Sequence, residues 1–358
     1  MKKGPWITGL AIALSVACTE KPKEKEESMS AALNYPETRK DSTVDDYFGT
    51  QVMDPYRWLE DDRSPETEAW VKAENEVSFG YLETIPYRDE LKEKLTELWN
   101  YEKVGAPFEE GDYTYFYKNN GLQNQYVVYR FKTGEGNMDN AEVFLDPNTF
   151  AEDGSTSLGG MSFTKDGSLC AYQISEGGSD WRKVIIIDAA TKEQIGDTLV
   201  DVKFSGLSWR GNEGFYYSSY DKPVNGSQLT AMTDMHKLYF HRLETPQSED
   251  ELVFGGERMK RRYISGYVTE DGAYLVISAA ESTTGNELYI QRLDIPNAAF
   301  KSIITGFDSE QGIIHTDGDM IWIKTNLNAP NGRVVKTTFE AMDPENWVDV
   351  IPETENVL

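Results

Sequence analysis

Hydrophobic positions along this chain change their period once, near Trp99. Between Asp54 and Trp99 they recur at helical spacing: Trp70, Ala73, Val77 and Tyr81 share a face, with Glu66, Glu68, Lys72 and Glu76 elsewhere. Ser64 stands where an N-cap is needed, and Pro65 at the first helical position lacks only an N–H that would be unpaired anyway. Pro86 predicts the end of that helix, and a second follows with Leu91, Leu95 and Leu98 on one side. Two short amphipathic helices cannot bury both apolar faces by themselves, so a docking surface is predicted for them.

Beyond Tyr101 the period becomes two, and no stretch keeps a helical pattern. Strand-like runs appear at Tyr113–Lys118, Gln125–Phe131, Lys183–Asp188, Gly214–Ser218, Lys237–Leu243, Tyr274–Ser278 and Glu287–Leu293, each bounded by Gly, Asp, Asn or Pro. The runs also repeat. Acidic-Gly turns at Asp166-Gly167, Glu213-Gly214, Asp271-Gly272 and Asp317-Gly318 anchor four units. Three of them are preceded by the apolar runs Met161–Phe163, Leu207–Trp209 and Ile264–Val268, and all are followed by a second run such as Phe215–Tyr217 or Met320–Ile323. Gly111-Asp112 opens a fifth, more divergent copy. Units of this length with short antiparallel strands predict β-propeller blades; a flat sandwich is the alternative, but it leaves the recurrent turn unexplained. The fold expected is mainly β, an incomplete propeller of about five blades over 101–358 behind a helical segment at 35–100.

Composition adjusts this picture modestly. Of 358 residues, 39% are hydrophobic and 12% aromatic, enough for real cores and weighted towards residues that pack well on pleated surfaces. A formal charge of -26 argues against a nucleic-acid partner, because phosphate binding needs a basic footprint. It is the charge of a solvated, self-repelling surface. Lys2 and Lys3 followed by the apolar Trp6–Ala17 form an export signal, expected to cover 1–17. The signal ends at Ser15-Val16-Ala17-Cys18, which resembles a bacterial lipoprotein processing site with Ser15 in the usual leucine position. Lipidation of Cys18, a polar tether over 18–34, and a periplasmic or outer-membrane-anchored location are therefore expected, with an unmodified Cys18 as the alternative. Membrane contact is expected only through that anchor. Cys170 lies in the apolar run Leu169–Tyr172 and is read as a buried, inert thiol.

A search for chemistry returns little. A nucleophile elbow requires G-x-S-x-G at a strand-to-helix turn. The nearest match, Gly177-Gly178-Ser179-Asp180-Trp181, fails at its last position, as does Gly206-Leu207-Ser208 with Arg210 beyond it; Ser179 is read as a turn residue. His236, His241 and His315 lack metal-ligand spacing and no Cys cluster supports them, so all three are read as structural or surface histidines and no metal or cofactor is expected. The acidic pairs Asp45-Asp46 and Asp61-Asp62 are read as turn and cap residues.

Several motifs together are specific. Tyr35-Pro36, Val44-Asp-Asp-Tyr-Phe-Gly49 and Asp54-Pro-Tyr-Arg-Trp-Leu-Glu-Asp61, with Trp70-Val71 and Glu74-Asn75, resemble the opening of the prolyl oligopeptidase family of serine peptidases. Phe163-Thr-Lys-Asp-Gly167, Gly178-Ser-Asp180, Ile187-Asp188, Val202-Lys-Phe-Ser205, Trp209 and Lys237-Leu-Tyr239 resemble its propeller. The resemblance runs from about residue 35 to Leu358. It implies a seven-bladed propeller sitting over an α/β-hydrolase domain on which the N-terminal helices pack, with the catalytic Ser, Asp and His following the propeller in sequence. This chain would then lack two blades and the triad, and would be inactive alone. The implied activity of the whole enzyme is hydrolysis of proline-containing oligopeptides after proline, with the blades excluding folded proteins. The resemblance also places Phe204 towards the substrate cleft, against the alternative of simple blade packing. The family's propeller arginine and cysteine contacts are absent from the corresponding Ala279–Gly285 loop. Two other readings remain: a free-standing propeller that binds peptides or proteins without catalysis, and a relative that cleaves after other residues.

Overall fold

The computed structural model describes residues 33–222 and 233–358. The signal stretch 1–17, Cys18 and nearly all of the tether lie outside the described residues.

The described chain opens with a hairpin, β1 (Val44–Tyr47) and β2 (Thr50–Met53), that the helical reading of this region did not anticipate. Asp46 is the turn residue expected, its Oδ1 accepting from the Gly49 N–H at 2.6 Å. Asp45 is not: it pairs with Arg57, whose guanidinium also holds Asp54 at 2.6 Å and Glu60 at 3.4 Å. One cation thus ties the hairpin to the one-turn 3-10 helix Arg57–Glu60.

Helices α1 (Pro65–Glu83) and α2 (Arg88–Trp99) follow. Ser64 caps α1 as expected, its Oγ accepting from the Thr67 N–H at 3.1 Å, with Pro65 in the first turn. The Trp58 and Trp70 rings meet edge-on at 6.5 Å, and Trp70 Nε1 donates to Thr38. Much of the remaining apolar surface is bare. Phe79, Tyr81, Leu91, Leu95, Leu98 and Trp99 are all exposed, and α2 buries no residue.

Five antiparallel sheets come next. The first is built on Tyr113–Asn119; the other four run as consecutive four-stranded meanders over 156–203, 208–255, 263–304 and 311–351. Each acidic-Gly anchor falls in or beside the tight turn between a blade's first and second strands. Thr164 and Thr269 repeat one device at equivalent positions, each donating its hydroxyl to the turn aspartate, Asp166 or Asp271. Glycine is required at Gly167 for a tertiary reason as well as for its φ of +67°: a Cβ there would lie 2.4 Å from the Gly111 backbone nitrogen of the neighbouring blade. Gly167→Ala is expected to lower stability by about 2 kcal/mol, read from a urea transition. A cost no larger than that of Gly272→Ala, whose Cβ would meet nothing within 4 Å, would refute the inter-blade explanation.

Among the described residues the core forms four clusters, each filling the gap between successive sheets. Strand Gly214–Ser219 shows how: Phe215 and Tyr217 point into the cluster shared with the second blade, while Tyr216 points into the one shared with the fourth. With both faces covered, this strand is buried along its whole length and reads as apolar without alternation. Four clusters among five sheets is the number for an open row, since a closed ring of five would need five. At the far edge the last strand, Val348–Ile351, is exposed throughout.

Candidate functional site

The blades have two rims. The acidic-Gly turns lie on one, where Lys165 Nζ of the second blade reaches the Glu270 carbonyl of the fourth at 2.8 Å. The opposite rim is where each first strand begins and each second strand ends, and it carries Phe204. The helices join there: Lys103, just past α2, pairs with Asn119 at the end of its strand and donates to the Gly121 carbonyl at 3.0 Å. A cleft of about 620 Å³ opens there between the fourth and fifth blades, lined by Ser282, Gly285, Gln311, Lys324 and Asn326.

Phe204 is on this rim. It follows the outer strand Leu199–Lys203, has φ +51° and remains 46% exposed. A positive φ and an exposed ring both cost free energy for a phenylalanine. Its ring meets Tyr220 edge-on at 6.3 Å and Tyr263 at 5.9 Å, residues that come from the third and fourth blades. Lys203 lays its ammonium between two rings, 5.1 Å from Phe204 and 4.9 Å from Trp181.

Behind these rings sits His236, 1% exposed. It stacks on Tyr220 at 4.5 Å, its Nδ1 accepts from the Ile264 N–H at 2.8 Å, and its Nε2 lies 3.0 Å from the Lys203 carbonyl. The amide can only donate and the carbonyl only accept, so the imidazole is neutral with its proton on Nε2. Burial lowers its pKa to about 4, partly opposed by the hydrogen bond to Lys203. Burial likewise raises the Tyr220 hydroxyl to about 12.

The other residues singled out in the sequence take structural places. His241 is buried and paired with Asp250 at 2.8 Å, Asp250 accepting also from the Tyr217 hydroxyl at 2.7 Å. His315 is exposed and packs on Trp322. Ser179 occupies the hairpin turn, its Oγ accepting from the Trp181 N–H. Cys170 is fully buried in its strand, and burial raises its thiol far above the ordinary range. No group of three or more metal-ligating side chains occurs among the described residues. Tyr220, Tyr263 and the bracing role of His236 were not readable in sequence, because the contacts join residues of three different blades and no local spacing marks them.

A row of antiparallel blades joined to a helical arm on the rim opposite its acidic-Gly turns is a β-propeller domain with an N-terminal helical extension. Residues 35–358 match the model of the prolyl oligopeptidase N-terminal β-propeller domain, and the chain belongs to that family. It is 59% identical over 330 residues to the prolyl endopeptidase of Elizabethkingia miricola, a match covering 92% of this chain and 46% of that protein. It is 32% identical to prolyl oligopeptidase A of Amanita bisporigera, covering 89% and 46%. Among solved structures, prolyl oligopeptidase B of Galerina marginata bound to a 25mer macrocyclization substrate superposes with a TM-score of 0.76 at 29% identity, covering 90% of this chain and 48% of that one. The chain thus spans about half the length of the curated relatives it matches.

Proposed function

We propose that this chain is the propeller part of an exported serine endopeptidase that hydrolyses short peptides after proline, with the catalytic Ser, Asp and His supplied by polypeptide outside this sequence. The carrying observation is that three features share one rim: the junction to the helical arm, whose apolar residues are exposed, the exposed Phe204 cluster and the 620 Å³ cleft. A hydrolase domain covering the helices would face Phe204 across the rim, leaving a space bounded by both bodies. In that space the chemistry would be acyl transfer by a triad serine, while the blades admit slender peptides and exclude folded proteins. Phe204 would offer its ring face to a substrate side chain. Cys18, in a lipoprotein-like context, would anchor the enzyme in the periplasm or at the outer membrane.

The full-length gene product should hydrolyse a chromogenic peptide with proline before the scissile bond and spare the same peptide within a folded protein. Phe204→Ala should raise KM by about tenfold with kcat changed less than twofold, the loss of a contact made equally in ground and transition states. A second reading, a propeller that binds peptides without catalysis, predicts peptide binding with no turnover. Absence of hydrolysis by the full-length product would favour that reading.

A further inference from the structure

One side chain behind the Phe204 rim is almost wholly shielded from solvent. His236 spends its two nitrogens on the backbone beside two exposed rings: Nε2 on the carbonyl of Lys203, immediately before Phe204, and Nδ1 on the amide of Ile264, immediately after Tyr263. Its flat face holds Tyr220, the third ring in contact with Phe204. A single imidazole thus fixes the chain positions of all three aromatics, each of which comes from a different blade. Phe204 itself sits in an unfavourable backbone conformation. Its φ of +51° is unfavourable for a phenylalanine, and Asp201 three residues earlier is also left-handed, at φ +57°. A segment with two such residues keeps its shape only where its surroundings dictate it. Ser205, after Phe204, is held by Gln173 and Ser218, and on the other side the Lys203 carbonyl bond to His236 closes on the residue before it.

We infer that His236 is a positioning residue for substrate binding, holding Phe204 against Tyr263 and Tyr220 so that the three rings form one preshaped wall for an apolar or proline-containing peptide segment. The inference rests on the reading that Phe204 lines the substrate cleft. Preshaping matters because ordering a loop upon binding subtracts from affinity, so the same residues on a slack loop would bind peptides more weakly with the chemistry unchanged. The cost therefore falls on KM rather than kcat.

Two near-isosteric substitutions separate the two bonds. In His236→Gln the amide nitrogen can still reach the Lys203 carbonyl while the Ile264 amide loses its acceptor. In His236→Asn the amide oxygen takes the Nδ1 position and the Lys203 carbonyl loses its donor. The experiment measures kcat and KM of the full-length enzyme for a proline-containing peptide, with thermal melts, for both variants alone and combined with Phe204→Ala. His236→Asn is expected to raise KM about fivefold at unchanged kcat, His236→Gln less, and neither to raise KM further once Phe204 is alanine. An unchanged KM in folded His236→Asn would overturn the inference, as would an equal KM effect in the Phe204→Ala background. If Phe204→Ala alone leaves KM unaltered, it is the placement of Phe204 in the cleft that fails. Should both histidine variants melt below the assay temperature, Tyr220→Leu carries the test, since it removes the ring linking His236 to Phe204: a raised KM supports the inference and an unchanged one sinks it.

Discussion

Replacing Arg130 with alanine should lower stability by about 3–5 kcal/mol, the largest single loss expected on this chain outside its apolar clusters. Arg130 is 2% exposed, yet it is a permanent cation. Burial is tolerable because every face is occupied. Nε donates to Glu142 at 2.6 Å, the other nitrogens donate to the Ala189 and Ala190 carbonyls of the second blade, and the guanidinium lies between the Tyr113 and Phe144 rings at 4.2 and 4.9 Å. The residue is a rivet between the first and second blades, and its removal leaves two carbonyls and a cavity behind. Glu142 is 54% exposed, so Glu142→Gln should cost only about 1 kcal/mol, as surface pairs do. Urea unfolding of the full-length protein distinguishes them. A loss for Arg130→Ala no larger than for Glu142→Gln would show that the inter-blade bonds contribute nothing.

Acidification should destabilise the protein through His236 before most carboxylates respond. The folded-state pKa is about 4, below the ordinary histidine value of about 6.5, so the unfolded chain binds the proton more readily. Above pH 6.5 the residue is neutral in both states and its three contacts are fully present. Between 6.5 and about 4 only the unfolded chain gains the proton, and stability falls by about 3 kcal/mol across that window. The partners of the ring are the Lys203 carbonyl, the Ile264 amide and Tyr220, and no carboxylate bonds to it among the described residues to hold a proton in place. Protonation would also convert Nδ1 from acceptor to donor opposite an amide. His236→Asn should remove this part of the pH slope and leave the rest. Identical slopes for wild type and variant between pH 6.5 and 4 would refute it. Asp166, held below the usual range first by the Asn212 side chain of the next blade and then by Ser168 and Thr164 in its own turn, loses its contribution only at lower pH.

What could be read from sequence follows from which interactions are local. The Ser64 cap, the helical period of α1 and α2, the acidic-Gly turns and the blade repeat all depend on residues close along the chain, and the structure has them where the pattern puts them. The prediction that the helices cannot satisfy their own apolar faces is likewise visible as the exposed Leu91, Leu95 and Leu98. Missed features were tertiary. The β1–β2 hairpin is polar, with the exposed Val52 and Met53 giving no buried face to betray a strand, and Asp45 looked like a turn residue because its partner Arg57 lies beyond that hairpin.

By itself, then, the chain's alternation of apolar and polar residues determined the two helices and the repeating blades, and its motifs determined the family. Only tertiary structure decided that Phe204 stands exposed beside Tyr220 and Tyr263, and that a histidine read as merely structural braces all three. The physical reason is that periodicity records which face of an element is dry, whereas a rim cluster is assembled from loop ends of different blades, whose meeting depends on how the sheets twist and stack.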